Sequence, residues 1–330
     1  MTAPAPRASL PRRLAAQAAR AWFLLAVALG IAAAWFLPGP THRAVDPLRV
    51  EVLVALSLVV LAWGLETRSL LRAVAHPWAA FWSLALGYGL VPVLGWAAGF
   101  VLPSTDLRIG LVIIASVPCT LSSVVLWTRL AGGNDAMAML IVVLSTGLSW
   151  LITPLWLKGL TGAETPLDTA QMMRTLVLVL IVPVALGQVS RAVPGLATLA
   201  RRGKTLLDVM TRLLVCLVIV KAAAGVADRR ENLDLLQSLA TLVLCLATHL
   251  AALFAGFGSA RLLRFGRAEC IAVAFGCSQK TLPVGLVLAA FFESRYPLAV
   301  LPLVFYHVTQ LTVDTFIADY WAAAKEPVAP

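Results

Sequence analysis

The sequence predicts an all-α polytopic membrane protein of ten transmembrane helices, arranged as two inverted five-helix repeats with broken, crossing helices four and nine. Three observations predict it. Of 330 residues, 60% are hydrophobic and only 13% charged, and the mean hydropathy of +0.90 lies far outside the soluble globular range. The apolar residues fall in ten runs joined by short connections, and 330 residues can carry about ten helices of roughly 20 residues. Two runs, one in each half, are interrupted by polar residues and proline: Pro118-Cys119-Thr120-Leu121-Ser122-Ser123, and Gly276-Cys277-Ser278-Gln279-Lys280-Thr281 followed by Leu282-Pro283.

In chain order the runs lie at 21–37, 50–65, 79–102, 107–130, 134–157, 174–193, 206–226, 237–260, 267–292 and 298–321. The first, preceded by Arg12, Arg13 and Arg20 and ending near Ala32, Ala33 and Ala34, has the layout of a signal peptide. Removing it would leave nine helices and spoil the pairing of the halves, so it is read as a span after a cytoplasmic tail, 1–20. The second run starts at an interfacial Glu51. The fourth holds the first break, and the fifth carries Ser145 and Ser149, four residues apart on one side. A connecting loop, 158–173, joins the first repeat, 21–157, to the second, 174–321, which a tail of 322–330 follows. Asp228-Arg229-Arg230-Glu231 reads as a solvated turn, and the lone His249 of the eighth run as a hydrogen-bonded packing histidine. The ninth run holds the second break. On the tenth, His307, Gln310 and Asp314 at i, i+3 and i+7 form one polar stripe. Either it faces the interior toward Lys280, or its outer members reach water at the helix ends.

Because each half has an odd number of spans, the second enters from the opposite side, and the repeats are inverted. Lys and Arg set the orientation. One side carries sixteen, from Arg7 through Arg129 and Arg267 to Lys325, and the other nine, from Arg43 to Arg295. The richer side is cytoplasmic, with both termini there, in a plasma (inner) membrane. The net charge of +10 sits in these short loops and forms no aromatic-interleaved stripe, which argues against nucleic acid as a partner. The lipid bilayer is the expected partner, and no feature fixes an oligomeric state. The five cysteines lie in apolar runs without CxxC spacing or a Cys/His cluster, so neither a disulfide framework nor a zinc site is indicated. HExxH, GxSxG and P-loop motifs are lacking, so no enzyme is expected, and no catalytic residue is assigned.

The breaks carry the chemistry. Proline removes a backbone donor and leaves carbonyls in need of partners at mid-membrane. Half-helix N-termini favour anions and freed carbonyls favour cations. A lysine about a dozen residues from either end of a span is costly unless paired, solvated or used. A proline kink with hydroxyl back-bonding would account for Pro118 alone. Two breaks in corresponding places, one containing Lys280, point instead to the binding site of a secondary transporter.

Three stretches carry a family resemblance: Pro118 to Asn134, with Thr128-Arg129-Leu130-Ala131-Gly132-Gly133-Asn134 at its end; Phe275 to Leu282, with Ser278-Gln279-Lys280-Thr281; and Tyr306-His307-Val308-Thr309-Gln310-Leu311. They resemble the bile acid:sodium symporter family, in its SBF-like branch of the cation:proton antiporter-related superfamily, over residues 20–321. The resemblance implies a panel domain from helices 1, 2, 6 and 7, and a core domain from helices 3–5 and 8–10 that holds the crossing breaks. In sodium-coupled members the ninth helix places a glutamate four residues before a glutamine and an asparagine after it. Here those positions are Phe275, Gln279 and Lys280, so a carboxylate is lost and a fixed cation gained, and coupling to two sodium ions by that pattern is not met. The family's fourth-helix Ser-Asn pair falls on Ser122-Ser123, and its fifth-helix hydroxyl pair fits Ser145 and Ser149.

The candidate substrate- and ion-binding residues are therefore Thr120, Ser122, Ser123, Asn134, Ser145, Ser149, Ser278, Gln279, Lys280, Thr281, His307, Gln310 and Asp314. No metal ligand set and no cofactor are expected, and the coupling ion is Na+ or H+. The implied activity is alternating-access transport of a small organic anion, a sterol conjugate or a small carboxylate. A non-transporting regulator or receptor on the same scaffold is the alternative.

Overall fold

The computed structural model describes residues 10–64, 77–162, 167–229, 231 and 233–324. Arg7, Arg68, Arg72, Arg230 and Lys325 of the charge count, and the outer parts of both predicted tails, lie outside these residues. The described chain is helical almost throughout. Its helices are α1 (Leu10–Phe36), α2 (Pro38–Val45), α3 (Val50–Gly64), α4 (Trp78–Gly99), α5 (Thr105–Ser116), α6 (Ser123–Leu130), α7 (Asp135–Thr161), α8 (Thr169–Ala192), α9 (Pro194–Arg202), α10 (Lys204–Ala227), α11 (Leu235–Leu262), α12 (Arg267–Ser278), α13 (Leu282–Ala289) and α14 (Val300–Ala323). Seven segments among the described residues are long and apolar enough to cross a membrane, or eight if the stretch bent by 116° between Leu25–Phe36 and Pro38–Val45 is one span. All ten apolar runs fall on helix. Where the two numbers part, the helices are short: α3 has 15 residues, and the 107–130 run is split into α5 and α6, neither long enough alone. α1 begins at Leu10, well before its apolar run.

Local chemistry explains the boundaries. Asn134 caps α7, its side chain accepting from the Met137 amide at 3.0 Å, and Asp168 and Asp234 cap α8 and α11 in the same way. The turn from α6 into α7 needs Gly132, whose φ of 78° lies in the left-handed region. Arg129 and Asp135 bridge that turn at 2.8 Å. Pro283 stands in the first turn of α13, where its missing donor costs nothing, so it starts a helix rather than bending one.

The helices pack in two groups. α3 lies against α8 and α10, and α10 against α1. In the other group α12 packs on α11, α4, α7 and α6, while α14 packs on α11, α5 and α6. α12 and α13 form the most enclosed of the spans, 94% buried inside the protein itself.

Candidate functional site

Two breaks meet at the centre of the second group. The first spans 117–122, between α5 and α6; the second spans 279–281, between α12 and α13. They touch directly, the Thr281 amide donating to the Pro118 carbonyl at 3.1 Å. Each extended stretch strands backbone groups, and with no water in a bilayer core these must find partners inside the protein. They do so one by one. The Thr153 hydroxyl donates to the Ser116 carbonyl at 2.8 Å, and the Cys119 amide donates to Ser145 Oγ at 3.1 Å. The Ser278 carbonyl accepts from the Tyr306 hydroxyl at 2.8 Å. Gln310 clasps Lys280 by its backbone, Oε1 taking the amide and Nε2 donating to the carbonyl, both at 2.8 Å.

The Lys280 ammonium, 2% exposed, donates to Gly87 O at 2.6 Å and Val117 O at 3.2 Å. Both carbonyls are free for a covalent reason. α4 widens into a π turn at Leu86–Leu90, and the Val91 amide is taken by Leu86 O. In that register the donor for Gly87 O would be residue 92, a proline, which has none. Val117 lies in the extended break before Pro118. The ammonium is also 5.6 Å from the Tyr88 ring centroid, and among the described residues it forms no ion pair. A cation thus sits on backbone carbonyls at the crossing, with no carboxylate to neutralise it.

A second polar chain runs beside it. Asp314 accepts from Gln279 Nε2 at 2.7 Å with one oxygen and faces His249 Nε2 at 2.8 Å with the other. Gln279 Oε1 accepts from the Thr120 hydroxyl at 2.7 Å, and Thr120 shares a 2.5 Å contact with Ser123 Oγ. The chain therefore passes from α11 through α14 and the second break into the first. It ends near Ser122, which is exposed.

Of the expected residues, Thr120, Ser123, Ser145, Gln279, Lys280, Thr281, His307, Gln310 and Asp314 join this network, His307 through Nδ1 to Gln310 Nε2 at 3.1 Å. Ser278 contributes its carbonyl, while its hydroxyl is buried without a partner. Three expectations are corrected, and a fourth gains its partners. Asp314 does not face Lys280, because Gln279 and His249 take both carboxylate oxygens. His249 is hydrogen-bonded as expected, and its partners are Asp314 Oδ1 at 2.8 Å and the Ser278 carbonyl at 3.3 Å. Asn134 lies away from the crossing, at the start of α7, because its side chain serves as the cap. Ser149 bonds back to Thr146 O within its own helix at 2.7 Å, so only Ser145 of that pair reaches the first break. The stripe on α14 faces inward, and all three residues are buried. Sequence reasoning missed Gly87, Tyr88, Thr153 and Tyr306. Pro92, five residues past Gly87, was the available signal.

Paired broken helices whose freed backbone groups converge on a buried cation thus lie at the centre of a helical membrane protein. The model of the SBF-like CPA transporter family matches residues 21–323, and the chain belongs to that family, within the bile acid:sodium symporter group. Its relatives include the probable chloroplastic sodium/metabolite cotransporter BASS4 of Arabidopsis thaliana, 30% identical over 73% of this chain. The chain spans only 59% of that plant protein's length. The uncharacterized protein PA2026 of Pseudomonas aeruginosa is 28% identical over 93% of this chain and 94% of its own length. Sodium/bile acid cotransporter 7 of Danio rerio is 25% identical over 92% of this chain and 94% of its own.

Proposed function

We propose that the chain is a secondary active transporter of a small organic anion that works by alternating access. In this reading α1, α3, α8 and α10 form a panel, and the group holding the two breaks forms a core that moves against it. The ten apolar runs are ten spans in two inverted repeats, 21–157 and 174–321, both termini being cytoplasmic in a plasma (inner) membrane. The names of two relatives, a sodium/metabolite and a sodium/bile acid cotransporter, support a metabolite or bile-acid-like anion as substrate.

One observation carries the reading: the Lys280 ammonium on Gly87 O and Val117 O. Freed carbonyls at crossed helix breaks are ligands for a coupling cation. Here a tethered cation fills them, so sodium is not needed to supply the positive charge. That charge, unpaired in a dry setting, favours an anion arriving at the hydroxyl-lined end of the crossing, where Ser122 is exposed.

Uptake of a panel of labelled organic anions into vesicles tests this. The transport reading expects accumulation of at least one anion by the wild-type protein and none by Lys280→Met. A regulator or receptor on the same scaffold would accumulate nothing in either case.

A further inference from the structure

Two histidines are buried at this crossing, and their partners fix their protonation. Gln310 is oriented unambiguously by its two-way bond to the Lys280 backbone, so its Nε2 is the donor facing His307 Nδ1. That ring nitrogen must accept. His307 is thereby a neutral imidazole with its proton on Nε2.

His249 is the opposite case. Its Nδ1 lies 3.3 Å from the Ser278 carbonyl, which can only accept, so a hydrogen bond there takes a proton on Nδ1. Its Nε2 faces Asp314 Oδ1 at 2.8 Å. The other carboxylate oxygen is already accepting from Gln279 Nε2. A bond between Nε2 and Oδ1 requires a further proton, held either by the ring or by the carboxyl. The pair therefore holds one proton more than a neutral histidine beside a carboxylate, and its net charge is zero, as suits two groups with no exposure at all.

We propose that the His249–Asp314 pair is the proton-binding site of this protein, that the structure shows its loaded state, and that unloading moves one of the two helix breaks. The last step follows from what remains when the proton leaves to water. A singly protonated ring can satisfy Ser278 or Asp314 but not both. If it keeps Nδ1–H, the Nε2 lone pair faces a carboxylate and Asp314 must shift, taking Gln279 and, through Oε1, Thr120 with it. If it keeps Nε2–H, the Nδ1 lone pair faces the Ser278 carbonyl, and the second break itself must shift. Both routes disturb the contact between the breaks.

The neighbouring ionisable groups fit this assignment. Tyr306 shares the Ser278 oxygen and sets its ring edge-on to His249, with centroids 5.7 Å apart. Cys245 of α11 lies against the Pro302 carbonyl, Cys277 of α12 lies against the Ala252 carbonyl, and His307 is held neutral. Lys280 is engaged by Gly87 and Val117. Among the charges on the other packed helices, Asp106 of α5 takes the Leu298 amide, Arg129 of α6 pairs with Asp135, Arg212 of α10 lies over the Trp22 ring, and Lys221 of α10 bonds the Val45 and Asp46 carbonyls. With the pair loaded, the crossing carries the single positive charge of Lys280; with it unloaded, none. An anion is held better by the loaded form, which makes proton and anion bind cooperatively.

The assignment deepens the transport reading and rests on it for its use, but its test needs no substrate and so can fail or succeed independently of uptake. The full-length protein, labelled with 15N-histidine in nanodiscs, is followed by NMR with pH, the signals being assigned by replacing the other histidines. The expected result is a His249 with a protonated Nδ1 beside a His307 with a bare one. A bare Nδ1 on His249 while the pair is loaded overturns the proposal. In parallel, a Ser122→Cys reporter in a Cys216→Ser background is labelled with a membrane-impermeant maleimide across pH. Its rate, corrected for thiol ionisation, is expected to change severalfold as the pair unloads and to lose that dependence in Asp314→Asn and His249→Gln. An unchanged dependence in either folded variant overturns the coupling to the breaks; if neither variant folds, the wild-type NMR result decides.

Discussion

Lys280→Met separates the two roles a buried lysine can have. The substitution keeps the apolar stem and deletes the ammonium, leaving Gly87 O and Val117 O without their donor. Each orphaned buried carbonyl costs ~1–3 kcal/mol. Against this, the fold no longer dehydrates an ammonium, which costs several kcal/mol per ion. The two nearly cancel, so the expected stability change is within ~2 kcal/mol, a shift in melting temperature below about 8 °C. Transport responds differently. If Lys280 meets the anion as proposed, losing its charge removes ~2 kcal/mol or more of binding, a fall in uptake of at least about 30-fold. Because Asp314 is paired with His249 and Gln279 rather than with Lys280, adding Asp314→Asn should not restore stability. Melting temperatures of both single variants and the double variant, beside vesicle uptake, make the measurement. A Lys280→Met protein that is severely unstable and rescued by Asp314→Asn would refute the reasoning, since it would mean the two charges pair.

Uptake at fixed pH and membrane potential should not rise with sodium, because Lys280 already fills the carbonyl site; a steep, saturable sodium dependence would sink that claim. With the potential clamped, a monoanion carried with one proton should accumulate about tenfold per unit of pH gradient, and Asp314→Asn should equilibrate it without concentrating it, which proteoliposome flux measurements would reveal. Thr120→Val strands Gln279 Oε1 and should cost ~1–3 kcal/mol, whereas Ser122→Ala, at an exposed position, should leave the melting temperature nearly unchanged while weakening anion binding. Gly276→Ala would drive a methyl to 2.7 Å from Ser83 Oγ and 2.8 Å from Ile141 Cγ2, and the overpacking should cost ~1–3 kcal/mol in thermal denaturation.

Hydropathy alone determined that this chain is a bundle of apolar helices, because a bilayer admits only helices and closed barrels, and continuous apolar runs lack the alternation of barrel strands. The places of both breaks were equally legible, since proline and clustered hydroxyls act on the residues beside them in sequence. So was the polar stripe on α14, which follows from helical spacing: His307, Gln310 and Asp314 could only share a face. What sequence could not decide was which partner each polar group would meet. Lys280 and Asp314 looked like a natural pair, being opposite charges in neighbouring spans, yet the lysine found two carbonyls and the aspartate a histidine 65 residues away. The reason is that a buried charge is satisfied by whichever groups the packing brings within about 3 Å, and hydrogen bonds are too short-ranged to be inferred from hydropathy. Gly87 makes the point most sharply. Its carbonyl is left free by Pro92, which the sequence displays, but only the packing of α4 against α12 turns that free carbonyl into a seat for Lys280.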